Sequence, residues 1–280
     1  MNRYRPVFIT ACIVAALCFV AILTAIFIPT TEIYGVLVRA MERQGYSVRT
    51  AHFAKAFPLG IKARNLEIGD DRGTLLKLDA VSARLSLPNL LLGRVNINYQ
   101  AEIGRGTVEG HIASLRDMNF SLKLDDVRME EIPLFQTVTG ARVRGYLHAR
   151  AEFGGEKGNY GGELRLWAKE AVLNGVKIGE TPLPDASYEN IQGLYRLKGS
   201  RGTLETLSLQ GSGIYVRLKG EIPFVEPTAS APLNLTLELM PKPAFLESQK
   251  FVFLLLTKYL TTPGHYTIPI RGTLAKPMIQ

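Results

Sequence analysis

The chain has 280 residues, 46% of them hydrophobic, and its 33 basic against 25 acidic side chains leave a net charge of +8. That excess is dispersed, as in Arg142, Arg144 and Arg150, rather than gathered into a basic stripe interleaved with aromatics, so no nucleic-acid partner is expected. Its two cysteines, Cys12 and Cys18, both fall in one early apolar run, which leaves the rest without a disulfide, a cysteine-ligated zinc or a cysteine nucleophile.

That run, Val7 to Ile28, is 22 residues without a charge. As a helix it would span roughly 33 Å, enough for a ~30 Å hydrocarbon core. Arg3 and Arg5 stand before it, and no basic residue follows until Arg39, so the positive-inside rule predicts a cytoplasmic N-terminus with the bulk of the chain across the membrane. The rival reading is a cleaved signal peptide. Against it stand the length of the run and its close on Ile26-Phe27-Ile28-Pro29, which offers no small-x-small cleavage site. The predicted layout is a cytoplasmic tip and transmembrane anchor over 1–28, an amphipathic helix over 29–45 and a β domain over 46–280.

After Pro29, where Thr30 or Thr31 can cap, Ile33, Val36, Leu37, Ala40, Met41 and Gln44 recur at helical spacing until Gly45 stops the helix. A helix of about 13 residues either lies on the outer leaflet or plugs one end of the β domain. From Tyr46 the period changes to two. Val81, Ala83, Leu85 and Leu87 alternate with Ser82, Arg84 and Ser86; Val95, Ile97 and Tyr99 with Asn96 and Asn98; Phe120, Leu122 and Leu124 with Ser121 and Lys123. Leu164 and Leu166 oppose Arg165 and Trp167, and Leu233, Leu235, Leu237 and Leu239 oppose Asn234, Thr236 and Glu238. Strict alternation predicts an antiparallel sheet with one wet face and one apolar face. Short helices or turns are predicted at 88–93 and 133–139. A longer one is predicted from Pro243 to about Thr261, with Phe251 to Leu256 buried against the sheet. The total is a dozen or more strands with three or four short helices, mainly β. Gly60, Gly106, Gly202 and Gly272 each launch a strand-like unit at irregular spacing, which makes a ladder of hairpins rather than a fixed repeat.

No motif carries chemistry. His52, His111, His148 and His265 are scattered and form no metal-ligand spacing. Asp70-Asp71 and Asp125-Asp126 each precede a new strand, which turn chemistry explains. Gly211-Ser212-Gly213 lacks a nucleophile elbow, and Gly154-Gly155 and Gly161-Gly162 flank a polar hairpin tip. A non-enzyme without a cofactor is expected. The apolar face says more, because a long sheet must bury it by closing, folding over or docking. Leu164, Leu166, Leu233, Leu235 and Leu237 are the candidate lining. The alternation leaves open whether they form an acyl-chain groove or a plain core.

Three stretches carry a resemblance: Phe57 to Ile68 (FPLGIKARNLEI), following the apolar run and one helix; Leu194 to Gly211 (LYRLKGSRGTLETLSLQG) with Val216 to Ile222 (VRLKGEI); and the closing Tyr266 to Pro277 (YTIPIRGTLAKP). Together they resemble AsmA-like proteins, and in size and order of elements the chain most resembles the inner-membrane protein N family of type II secretion systems. The resemblance implies a single-pass inner-membrane protein with a periplasmic, curved, taco-like sheet, no catalytic residues, and partners among other type II secretion components. Larger AsmA-like proteins have long grooves proposed as lipid conduits, which makes phospholipid the alternative partner. A dozen strands at ~4.8 Å give a groove of roughly 60 Å at most, which argues against a complete bridge between two membranes.

Overall fold

A computed structural model describes residues 29–280 except 58, 115–116, 157–158, 179 and 226–229. The expected anchor, Val7 to Ile28 with Arg3 and Arg5, lies outside the described residues. Among the described residues no helix is long and apolar enough to cross a membrane.

The first helix, α1 (Thr30–Glu42), has the predicted length of 13 residues, with Glu32 in its first turn and Arg39 in its last, each complementing the helix dipole. Pro29 is its cap residue, and neither threonine caps it. It ends where Gly45 takes a φ of 84°, a conformation that costs glycine little. The packing face is turned from the expected one: Ile33, Leu37 and Met41 of it are half-buried, whereas Ala40 and Gln44 are exposed. Val38 and Met41 meet a small core of Val48, Leu66, Leu78, Ala101, Ile103 and Val127. Tyr34 donates its hydroxyl to the Val48 carbonyl at 3.2 Å and packs against Phe53, whereas Val36 is exposed. Positions 34, 38 and 41 also sit on one helical face, and the tyrosine, able to hydrogen-bond while burying its ring, fixes which stripe turns inward. This inner face packs the helix on the strands at the start of the sheet.

That sheet follows the chain almost without exception. Strands β1 (Ser47–Ala56), β2 (Gly60–Asp70), β3 (Gly73–Leu85), β4 (Val95–Ile103), β5 (Gly106–Ser114), β6 (Met118–Arg128), β7 (Arg142–Glu156) and β8 (Asn159–Asn174) pair in sequence order. A small separate hairpin, β9 (Lys177–Ile178) with β10 (Thr181–Pro182), interrupts them. Then come β11 (Ala186–Lys198), β12 (Arg201–Gln210), β13 (Ile214–Glu221), β14 (Asn234–Pro241) and β16 (His265–Gly272), with the short β15 (Leu260–Thr262) and β17 (Pro277–Ile279) both on β16. Every pairing is antiparallel. Gly60, Gly106 and Gly202 open β2, β5 and β12 or stand at their starts as expected. Gly272 instead closes β16 at a φ of 92°, so the last glycine-led unit is a turn and not a strand start.

Because direction alternates, connections fall on two edges. The edge at which α1 enters β1 also carries the 3-10 turn Met129–Glu131, α3 (Leu134–Thr139), the β9–β10 hairpin, and α4 (Pro243–Ser248) with α5 (Lys250–Leu255). The far edge carries α2 (Leu87–Leu91) and the loops after β1, β13 and β16. Register shifts in β6, β7, β11 and β12 add twist, as bulges do. The coiling is tight enough that Arg72, after β2, donates from Nη1 to the Ala275 carbonyl, after β16, at 2.8 Å. Thr137 of α3 likewise donates to the Thr74 carbonyl of β3 at 2.6 Å. The curved sheet is therefore tied across its own mouth.

Two expectations need correction. The helix predicted over 243–261 is two six-residue helices broken at Gln249, then a 3-10 turn and β15. Of its apolar run only Phe253 and Leu256 are buried, while Phe251, Leu254 and Leu255 are 85%, 59% and 62% exposed. An apolar run that covers every side of a helix cannot say which side meets the sheet. Asp125-Asp126 is not a turn either. It forms a bulge inside β6, with Asp126 at a φ of 52° and both carboxylates near His148. Asp70 does make the turn, accepting the Arg72 amide at 2.9 Å; burial alone would raise its pKa, but the Arg72 hydrogen bonds outweigh this and hold it below the usual value.

The alternation puts Glu238 on the wet face, yet it is only 6% exposed. Arg217 Nε reaches its carboxylate at 2.6 Å and Lys219 Nζ at 2.9 Å. Burial pushes the carboxyl up, but hydrogen bonds from Lys219 and Arg217 outweigh it and hold the pKa below its ordinary 4.5. A lowered native pKa means stability that is present above pH 4.5 and is lost as pH falls through the native value. Glu238→Gln should therefore cost about 1 kcal/mol at neutral pH, and the gap to wild type should close in acid. Urea melts at pH 7 and pH 3.5 check this; a gap independent of pH would contradict it.

Candidate functional site

The five leucines nominated from the sequence lie on one face, and the register shows how. In antiparallel pairing, directly opposed residues point to the same side of the sheet. Leu164 opposes Tyr195, which opposes Leu204, then Gly220, Leu235 and Ile270. In the other direction Leu164 opposes Ala151, then Leu122, Gly110, Tyr99, Ala83 and Ile61. From β2 to β16 this row contains no polar side chain except the tyrosine hydroxyls. A second row runs beside it through Leu166, from Phe53 by way of Ala101, Val108 and Leu124 to Leu237 and Ile268. The sheet thus has a continuous apolar floor nearly its whole width.

The floor is covered unevenly. Leu233, Leu235 and Leu237 are buried in the larger core together with Leu239, Phe253, Leu256 and Ile268, beneath α4 and α5. For these three the plain-core reading holds. Leu166 packs at the margin of that core, and Leu164, Leu122 and Tyr99 are only half-buried. Toward the far edge the half-buried part becomes aromatic: Tyr99, Phe120 and Phe153 follow one another at 6.3 and 6.5 Å between ring centres, on β4, β6 and β7. This stretch of β4–β8 is the candidate site. It is an apolar lane, open on one side and continuous with the closed core. Alternation alone assigns Tyr99 and Phe120 to the apolar face. Their alignment into one lane depends on cross-strand register, which one-dimensional alternation does not encode.

Two tyrosines hold the floor flat against glycine. Tyr99 lies across Gly110 and donates its hydroxyl to the Ser121 carbonyl at 2.7 Å, spanning β4, β5 and β6. Tyr195 lies across Gly202 and donates to the Ile222 carbonyl at 2.9 Å, spanning β11, β12 and the end of β13. Burial raises both phenol pKa values. A side chain at either glycine would occupy the tyrosine's place, so ring and glycine form one unit, used twice.

The opposite face is polar. A concavity of about 610 Å³ there is lined by Arg84, Asn98, Glu109, His111, Lys123 and Glu152, among others. His111 Nδ1 and Ser121 Oγ stand 2.6 Å apart on neighbouring strands, and that Oγ also accepts the His111 amide at 3.2 Å. With the hydroxyl engaged by backbone and both residues on an open strand face, the pair serves cross-strand pairing. Among the described residues no group of three His, Cys, Asp or Glu side chains is placed to hold a metal ion. No family model matches the chain, and no similar curated protein or solved structure was found.

Proposed function

We propose that the chain is an accessory inner-membrane component of a type II protein secretion system, acting through a non-catalytic β domain on the periplasmic side. What supports this is the arrangement of the three resembling stretches in a single architecture. Phe57 to Ile68 spans the first hairpin turn and most of β2, Leu194 to Gly211 the β11–β12 hairpin, and Tyr266 to Pro277 the closing strand, all in one up-and-down sheet entered through a helix that directly follows the uncharged run. Such a domain offers surfaces and strand edges to other proteins rather than a reaction centre.

A second reading, a lipid-binding or lipid-transfer protein, is favoured by one observation. The half-buried lane along Tyr99, Phe120 and Phe153 presents apolar surface of the kind acyl chains need. Affinity purification of the full chain from its native membranes, with mass spectrometry of proteins and extracted lipids, separates the two. Secretion-system components are the expected companions. Stoichiometric phospholipid without them would move the conclusion to the second reading, and neither would overturn both.

A further inference from the structure

We propose that the outward face of α5, formed by Phe251, Leu254 and Leu255, inserts into the headgroup layer of an anionic bilayer. The three side chains occupy positions i, i+3 and i+4, hence one face of the helix, and all three are mostly exposed. The opposite side is committed to the protein: Phe253 packs on Phe245 and Tyr266 with ring centres 6.2 and 5.2 Å apart, and Leu256 is fully buried. A short helix held rigidly by one apolar face while presenting another to the outside has the form of an interfacial wedge, not of a surface helix.

Three features select a lipid surface over a second copy or another protein. Between 242 and 258 stand Lys242, Lys250 and Lys258 against the single acid Glu247, a balance that suits anionic headgroups around an apolar tip. Lys258 also folds over the Tyr259 ring, 4.6 Å from its centre, which pairs a cation with an aromatic in the manner of the membrane–water boundary. Finally, with Val7–Ile28 read as the anchor, as in the proposed function, the domain is tethered beside a bilayer that this face can meet, and is then held at two points.

The test uses the full chain with Cys12 and Cys18 replaced by alanine and one new cysteine carrying the environment-sensitive fluorophore NBD. Phe251→Cys reports on the wedge, and Glu205→Cys, on an exposed strand face, is the control. Both are reconstituted in phosphatidylcholine–phosphatidylglycerol vesicles with and without lipids brominated on the acyl chain. A wedge buried ~5–10 Å deep should lose about half of its fluorescence to the bromolipid, with the control unchanged. Replacing the anionic lipid by phosphatidylcholine should weaken that loss. An unquenched label at 251 on a chain that still floats with the vesicles and resists carbonate extraction overturns docking and leaves the anchor standing. A blue-shifted but unquenched label overturns it in favour of a protein covering the face. Extraction by carbonate overturns the anchor, and bromolipid quenching reports on the wedge separately.

Discussion

Leu235→Asp should unfold the C-terminal half of the sheet. Leu235 is 5% exposed, opposed by Gly220 and Ile270, in the core that α4 and α5 close. An aspartate there faces Gly220 and Ile270, while the Arg271 guanidinium is already engaged by the Leu235 and Ile270 carbonyls, and an unpaired carboxylate in a dry site costs about 3–5 kcal/mol, a large share of what an ordinary domain has. Leu235→Ser, milder, should still cost about 2 kcal/mol or more. Leu164→Asp, on the same row but half-buried, should cost much less, since water can reach it. Circular dichroism of the detergent-solubilised full chain in urea measures all three. Were Leu235→Asp as harmless as Leu164→Asp, the closed core would in fact be an open groove.

The second large effect concerns the tyrosine–glycine unit. Gly202→Val would drive a branched side chain into the Tyr195 ring and the Ile222 carbonyl, in a place where neither can retreat without parting β12 from β13. Overpacking of this sort costs about 3 kcal/mol. Tyr195→Phe removes only the hydroxyl and should cost about 1 kcal/mol, the worth of one hydrogen bond. Gly110→Val with Tyr99→Phe should repeat the pattern in the other half. If Gly202→Val melts like wild type, the ring is not seated on the glycine.

Periodicity made the sheet legible because a half-buried antiparallel strand enforces alternation residue by residue: Val95–Ile97–Tyr99 and Leu233–Leu239 keep the faces read from them. It also located α1, whose glycine stop and breaking proline are local signals. It failed where tertiary partners decide. Glu238 alternates like a wet residue, and only the arrival of Arg217 and Lys219 across β13 lets it be buried. The run Phe251–Leu256 is apolar on every side, so the divided helix and its exposed face leave no trace in the pattern. Asp125-Asp126 looks like a turn because acidic pairs serve bulges as well as turns. The candidate lane was legible as a list of apolar residues and not as a surface, since the register that aligns Tyr99, Phe120 and Phe153 is a property of neighbouring strands.

The pairing of almost every strand with its sequence neighbour bears on how the molecule assembles. Contacts made hairpin by hairpin need only short loops to close, so each step is entropically cheap and the sheet can zip from any of its turns, much as a repeat array does. The ties from Thr137 to Thr74 and from Arg72 to Ala275 are exceptions; the second closes a loop of 203 residues and can form only after the strands between have coiled. A nascent chain can thus add strands in order while keeping its ends apart, and the guanidinium tie between those ends closes last.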